Sequence, residues 1–288
     1  MKDFRFILFF FCVGFNTFFV DAQNKNTSID EKVHSKNLVD KPIIMAHRMA
    51  PLKRGYAENS METLEYNMKN FPNAIQEIDV QITSDNKVVL LHDNTLERTT
   101  TGKGCIGSYT YNDLKNIYLK DGYGNVLYGQ NIPLLEDVLK ITKGKVFVML
   151  DVKPGVDINV VMDIVKKTDT FDNLAIICYS VEDGLRMNKT YPDLMIALGF
   201  NSIDDIRRIK QAGIPYNKLI ALVPKVMQKQ SFYDEIIEMG VPISFSAQGN
   251  MDIKPDALDH YKSIIKKGIT ILCTDSLSRA FEALYYVQ

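Results

Sequence analysis

The chain has 288 residues, 46% of them hydrophobic, and its 34 basic and 35 acidic side chains leave a formal net charge of −1. This balance excludes a protein that binds nucleic acid through a general excess of positive charge, and the hydrophobic content excludes disorder over most of the chain. A chain of this length can bury a sufficient core without disulfides or a structural metal.

The first predicted element is a signal peptide at residues 1–22. Lys2 and Arg5 precede an apolar run over residues 6–20, and a Val-x-Ala sequence follows it, as at signal cleavage sites. The run is shorter than the roughly 20 residues that a transmembrane helix needs, and an uncleaved anchor is the alternative. We therefore expect a secreted or periplasmic protein with no stable membrane span after cleavage and a polar leader at residues 23–41.

From residue 42 onward, short apolar runs alternate with longer segments of helical periodicity. The predicted strands are 43–47, 77–82, 146–153, 174–180, 194–200, 219–223, 243–247 and 269–274. The predicted helices are 61–70, 134–141, 156–167, 181–190, 202–212, 231–239 and 255–267. This rhythm predicts an α/β TIM (β/α)8 barrel, a fold of about 250 residues. The alternative is a doubly wound open sheet, but the glycine-rich phosphate turn typical of its first strand is missing here.

Residues 83–133 interrupt the rhythm, so we expect an insertion after strand 2 on one face of the barrel. The segment contains another extended run at 87–91, a Thr- and Gly-rich stretch at 99–104 and a Gly-Tyr-Gly turn at 122–124. Long loops of this kind are usually functional or disordered. The remaining chain is predicted to form a single domain, residues 42–288.

Carboxylates lie in two neighbouring strands of the predicted barrel, and TIM barrels hold their active sites at the carboxyl ends of their strands. Glu77 and Asp79 are two residues apart and therefore point to one face of their strand, and Asp151 comes from the next barrel strand. Buried carboxylates are costly unless they are paired or bind a metal. Hard oxygen ligands favour one divalent cation, Ca²⁺ or Mg²⁺. An ion-pair network with Arg48 and Lys153 is the alternative.

Two histidines lie at the carboxyl ends of extended runs: His47 ends the first predicted strand, and His92 follows the apolar run 88–91. One histidine can take a proton from an attacking oxygen while the other protonates a leaving oxygen. A divalent cation, together with Arg48 and Lys153, can offset the charge on phosphoryl oxygens. The set therefore favours cleavage of a small-molecule phosphodiester over that of a glycoside, which requires a carboxylate pair as acid and base.

Seven motifs between residues 42 and 284 carry a more specific signal. They are AHR at 46–48, AENS-x-E at 57–62, QEIDVQIT at 76–83, VVLLHDNTLERTTTGKG at 88–104, IPLLEDVL at 132–139, LDVK at 150–153 and TD at 274–275. In this order and spacing they resemble the glycerophosphodiester phosphodiesterase family.

The resemblance implies a TIM barrel with an insertion after strand 2 and hydrolysis of glycerophosphodiesters to glycerol 3-phosphate and an alcohol. It also implies a role for each matching residue. These are His47 and His92 as the acid and base, Glu77, Asp79 and Asp151 as metal ligands, Arg48 and Lys153 as phosphate-binding cations, and Glu58 and Asn59 as substrate-binding residues at the edge of the site.

Three positions depart from the family pattern. Met49 stands where the family usually has Gly, Asp151 where it usually has Glu, and Ser244-Phe245-Ser246 where it often has a Trp. Asp at the third ligand position is similar to the related sphingomyelinase D group, so a phospholipase of that type is an alternative. A catalytically silent ligand-binding barrel is another, although both histidines are present. The oligomeric state stays open.

Overall fold

Eight parallel strands close into a barrel in the computed structural model, which describes residues 42–286. The predicted signal peptide (1–22) and leader (23–41) lie outside these residues. The strands, in chain order, are β1 (Ile43–Ala46), β2 (Ile75–Ile82), β3 (Val88–Leu90), β4 (Tyr118–Lys120), β5 (Val126–Asn131), β6 (Val148–Val152), β7 (Leu174–Cys178), β8 (Met195–Gly199), β9 (Leu219–Leu222), β10 (Ile243–Ser246) and β11 (Ile271–Thr274). The barrel runs β1-β2-β6-β7-β8-β9-β10-β11 and closes through parallel pairing of β11 with β1. The predicted TIM barrel is confirmed.

Helices lie between successive barrel strands and cover the outside. They are α1 (Met61–Asn70), α2 (Leu135–Thr142), α3 (Ile158–Thr168), α4 (Val181–Thr190), α5 (Ile203–Ala212), α6 (Gln230–Glu238), α7 (Asn250–Ile253), α8 (Ala257–Ile265) and α9 (Leu277–Phe281). Three begin at a serine whose hydroxyl accepts a hydrogen bond from a first-turn amide: Ser60, Ser180 and Ser202. Such caps satisfy amides that the helix itself leaves unpaired. Within residues 42–286, no helix is long and apolar enough to cross a membrane.

The barrel strands bury both faces, which explains their nearly continuous apolar sequences. One cluster fills the inside of the barrel and includes Met45, Ile75, Met149, Ala175 and Cys273. A much larger cluster lies between the strands and the helices. The apolar interior matters for function because a charged residue at the carboxyl ends of the strands lies against a region of low dielectric constant. A charge in that position is costly unless it is paired or binds a metal.

The insertion after β2 has its own small core. β3 pairs antiparallel with β2, and β4 and β5 form a separate hairpin. Leu96, Leu114 and Leu119 pack together beneath these segments. The hairpin also contacts the loop after β1, where the Gly55 amide donates to Asp121 Oδ2 at 3.1 Å. The insertion is therefore an ordered element that holds residues 92–98 beside the barrel mouth.

Candidate functional site

A cleft of about 440 Å³ opens at the carboxyl ends of the barrel strands. Seven of the nine side chains predicted from the sequence line it: His47, Arg48, Glu77, Asp79, His92, Asp151 and Lys153. The other two, Glu58 and Asn59, are not among its lining residues. The barrel thus brings together residues that are more than 100 positions apart in the sequence.

Three buried carboxylates form the floor of the cleft. Glu77, Asp79 and Asp151 each offer an oxygen, and these oxygens lie within 4.8 Å of one another. Strand register explains the closeness, because Asp79 and Asp151 are direct partners across β2 and β6. Burial, together with the neighbouring charge of Asp79, raises the pKa of Glu77 well above its usual value. With all three carboxylates ionised, the cluster therefore needs a positively charged partner close to it.

Lys153 supplies part of that charge. Its Nζ lies 2.6 Å from Asp79 Oδ1 and 2.6 Å from Asp151 Oδ2. Burial opposes a charge on Lys153, but the two carboxylates outweigh it and the pKa of Lys153 lies above its usual value. Asp151 Oδ1 is buried and has no hydrogen-bond partner among the described residues. Three carboxylates, one bridging lysine and one unsatisfied oxygen fit a hard divalent cation.

A strained turn connects β1 to this floor. Arg48, Met49 and Ala50 have φ values of 49°, 65° and 58°, a left-handed conformation that costs roughly 1–2 kcal/mol for each residue with a side chain. The turn aims the Arg48 amide at Glu77 Oε2, 2.6 Å away. Met49, where the family usually has glycine, is fully buried, and its carbonyl accepts a hydrogen bond from Asn67 Nδ2 at 2.8 Å. Burial and hydrogen bonding thus hold a backbone shape that glycine would adopt freely.

His47 is oriented by Asp275, for which the sequence predicts no role. Its Nδ1 lies 2.6 Å from Asp275 Oδ1, and Asp275 Oδ2 accepts from the Gly249 amide at 2.9 Å. Burial would raise the pKa of Asp275, but the hydrogen bond from His47 outweighs it, so this pKa lies below its usual value. An ionised carboxylate at Nδ1 makes that nitrogen the donor and leaves Nε2 for proton transfer.

His92 has a similar partner from the next residue. Its Nδ1 lies 2.7 Å from Asp93 Oδ1. Arg98 holds Asp93 in place from 2.6 Å and also forms two hydrogen bonds, of 2.7 and 2.8 Å, with Glu58. The Arg98 hydrogen bond is the main cause that lowers the pKa of Asp93 to about 2. Both histidines are therefore backed by an ionised aspartate.

Glu58 and Asn59 do not line the cleft but contact charged residues that do. Glu58 lies 3.5 Å from Arg48 Nη1 as well as pairing with Arg98. Asn59 is buried with φ 54°, donates from Nδ2 to Asp79 Oδ2 at 2.8 Å and accepts from the Asp79 amide at 3.1 Å. These contacts indicate that both residues hold the site in shape. Direct substrate binding by either one stays a prediction.

The wall opposite the carboxylates is polar where the family often has Trp. Ser244, Ser246 and Gln248 line it, near the end of β10. Gln248 Oε1 is buried and has no hydrogen-bond partner among the described residues, and Ser246 lies within hydrogen-bonding reach of the Cys273 thiol. Because unpaired buried polar atoms cost about 1–3 kcal/mol, this wall suits a ligand that carries hydroxyl groups.

The ion pair of Asp93 with Arg98 predicts a stability that depends on pH. Asp93→Asn is expected to lower the free energy of unfolding at neutral pH by about 1–2 kcal/mol, allowing for partial solvent screening. The pKa of Asp93 is about 2 in the fold against an ordinary 3.8, so the folded protein binds fewer protons than the unfolded chain. The stabilisation is therefore complete above about pH 5 and is lost as the pH falls toward about 2.

Urea unfolding of both proteins between about pH 3 and 7 measures this effect. The exposed aspartate Asp193, replaced by Asn, serves as a matched control for the change of side chain. A loss of stability in Asp93→Asn that does not change with pH would contradict the assignment.

Comparisons with known proteins identify relatives of the chain. The model of the glycerophosphoryl diester phosphodiesterase family matches residues 47–247. A glycerophosphodiester phosphodiesterase of Bacillus altitudinis is 34% identical over 110 residues, which are 38% of this chain and 44% of that protein. The chain thus matches less than half the length of this curated relative.

Solved structures cover more of the chain. A glycerophosphoryl diester phosphodiesterase from Parabacteroides distasonis is 30% identical with a TM-score of 0.79, over 85% of this chain and 86% of the other. A phosphodiesterase from Oleispira antarctica, solved in complex with the product sn-glycerol-3-phosphate, is 18% identical with a TM-score of 0.66, over 84% and 96% of the two chains. At that identity the second likeness concerns the fold alone.

Proposed function

Since this chain belongs to the glycerophosphoryl diester phosphodiesterase family, we propose that it hydrolyses glycerophosphodiesters to glycerol 3-phosphate and an alcohol. The observation that carries the proposal is the composition of the cleft. Two histidines, each hydrogen-bonded to an aspartate, face the same space as three buried carboxylates and Lys153. This combination provides proton transfer and binding of an anionic phosphoryl group in one place.

The two histidines transfer the protons. Asp275 and Asp93 hold His47 and His92 through Nδ1, so Nε2 of each ring serves the reaction. One ring takes the proton from the oxygen that attacks phosphorus, and the other gives a proton to the leaving oxygen. Arg48 and Lys153 bind the phosphoryl oxygens through their positive charge.

Glu77, Asp79 and Asp151 would hold one divalent cation, Ca²⁺ or Mg²⁺. When bound, the cation supplies positive charge that stabilises the phosphoryl group in the transition state. The unsatisfied Asp151 Oδ1 supports this role, since a buried oxygen without a partner is otherwise unfavourable. The polar wall at Ser246 and Gln248 would bind the hydroxyl groups of the substrate.

We also propose that the protein is exported to the periplasm or outside the cell. The basic, apolar and small-residue pattern of residues 1–22 supports this proposal. Determination of the mature N-terminus by mass spectrometry tests it, and cleavage after Ala22 is the expected result. An N-terminus that retains residues 1–22 would contradict export by a cleaved signal.

A substrate panel tests the catalytic proposal. It contains glycerophosphodiesters of choline, ethanolamine, inositol and glycerol, along with sphingomyelin and lysophosphatidylcholine, each with and without added cation. Identification of products by mass spectrometry should show glycerol 3-phosphate and the free alcohol. Release of choline from sphingomyelin instead would favour the sphingomyelinase D-type alternative, and binding without turnover would favour the silent barrel.

A further inference from the structure

Tyr179 follows β7 at the mouth of the barrel and contacts a carboxylate of the floor. Its hydroxyl donates to Asp151 Oδ2 at 2.6 Å. The residue is 64% exposed overall, so the ring lies at the edge of the cleft while its hydroxyl reaches inward. Neither the strand pattern nor the family motifs marked Tyr179 as part of the site.

The two oxygens of Asp151 have very different surroundings. Oδ2 receives both the Tyr179 hydroxyl and Lys153 Nζ, each at 2.6 Å. Oδ1 is buried and receives no hydrogen bond among the described residues. Because two donors hold Oδ2, the carboxylate has one favoured orientation, in which Oδ1 is the oxygen left for a cation.

Lys153 alone does not fix this orientation, since its Nζ is shared with Asp79 Oδ1. Tyr179 differs because its hydroxyl sits on a rigid ring and, among the described residues, donates to Asp151. The backbone that carries the ring is also closely held. A Cβ at Gly199, on the neighbouring strand β8, would lie 2.9 Å from the Tyr179 carbonyl oxygen, so glycine there permits the close approach of the two strand ends.

We propose that Tyr179 is a positioning residue that orients Asp151 for the divalent cation. The inference rests on the proposed cation site at Glu77, Asp79 and Asp151. It also accounts for the departure from the family pattern at this ligand. Asp is one methylene shorter than Glu, and a second donor on Oδ2 keeps the shorter side chain aimed at the site.

The test compares the Ca²⁺ and Mg²⁺ affinities of wild type and Tyr179→Phe, measured by calorimetry on the cation-depleted full chain without substrate. Loss of a hydrogen bond that orients a ligand typically weakens metal binding 10–100-fold, so we expect the dissociation constant of Tyr179→Phe to rise at least about 10-fold. At saturating cation, its kcat and KM should return close to the wild-type values, which a residue that contacts the substrate would not show.

Two further variants serve as a control and as a second test of the Tyr179 hydroxyl. Tyr128→Phe removes a hydroxyl from an 82% exposed tyrosine of the insertion hairpin and should leave cation affinity unchanged. Tyr179→Leu also lacks the hydroxyl and should weaken cation binding as Tyr179→Phe does. Thermal melts with and without cation identify a variant whose weaker binding comes from unfolding.

An unchanged dissociation constant in folded Tyr179→Phe would overturn the inference, and so would a fall in kcat that saturating cation does not reverse. These outcomes are separate from failure of the proposed function, because binding is measured without substrate. Wild type that binds the cation but hydrolyses no phosphodiester would overturn the function alone. Wild type that hydrolyses phosphodiesters but binds no cation would overturn the cation site and, with it, the role of Tyr179, while hydrolysis itself would stand.

Discussion

Replacing His47 with alanine is expected to lower kcat by about 10²–10⁴-fold, the usual contribution of a general acid or base. The imidazole lies in the cleft with Nδ1 held 2.6 Å from Asp275 Oδ1, so its removal takes away one of the two proposed proton-transfer groups. The fold should be retained, because His47 follows β1 and belongs to none of the apolar clusters. Steady-state kinetics with a glycerophosphodiester, together with circular dichroism, measure both effects.

His92→Ala should give a loss of similar size, since the proposed reaction needs one proton taken and one given. His260→Ala is the matched control. That histidine lies on α8, where its Nε2 contacts Met251, and it does not line the cleft. Wild-type activity in either His47→Ala or His92→Ala would contradict the assigned pair.

Asp275→Asn tests how His47 is oriented. An amide at this position no longer requires Nδ1 to be the donor, so a larger share of the rings should hold the proton on Nε2, where it blocks proton acceptance. We expect kcat to fall while KM stays near the wild-type value. A change confined to KM would indicate that Asp275 contacts the substrate instead.

Most of the fold could be predicted from the sequence because its signals are local. Apolar runs and helical periodicity depend on neighbouring residues, and the predicted barrel strands and helices agree with the structure to within two residues at each end. The carboxylate pair could be predicted for the same reason. Alternation along one strand places Glu77 and Asp79 on a single face, and the TIM topology then places Asp151 beside them.

The parts of the site that could not be predicted from the sequence depend on contacts between distant segments. Asp275 meets His47 only because β11 pairs with β1 in a register that aligns Ala46 with Thr274. The TD motif pointed to this position without showing its partner. Arg98 could not be predicted as part of the site, because an arginine in an insertion is usually solvated and its pairing with Asp93 and Glu58 needs the folded loop.

The strained turn shows a different limit. A glycine at position 49 would have signalled a left-handed backbone, but the sequence has Met49 there. What permits methionine is its complete burial and the hydrogen bond from Asn67, both of which are tertiary. Residue type alone therefore indicated a departure from the family but not its structural consequence.

Removal of divalent cations is expected to abolish hydrolysis, and addition of Ca²⁺ or Mg²⁺ should restore it. Glu77, Asp79 and Asp151 lie above an apolar barrel interior, and Lys153 bridges only two of them. Without further positive charge, this floor repels an anionic phosphoryl group instead of stabilising it. The loss should exceed that of either histidine variant, because it affects both substrate binding and the transition state.

The measurement is turnover after dialysis against a chelator, followed by titration with each cation. Chelator already saturated with Ca²⁺ serves as the control for ionic strength and for direct inhibition. The melting temperature should rise with cation concentration as well, since a ligand that binds only the folded state stabilises it by mass action. Full activity in excess chelator would show that the carboxylates are neutralised by Arg48 and Lys153 alone. In that case the alternative ion-pair network, and not a cation site, would describe the floor of the cleft.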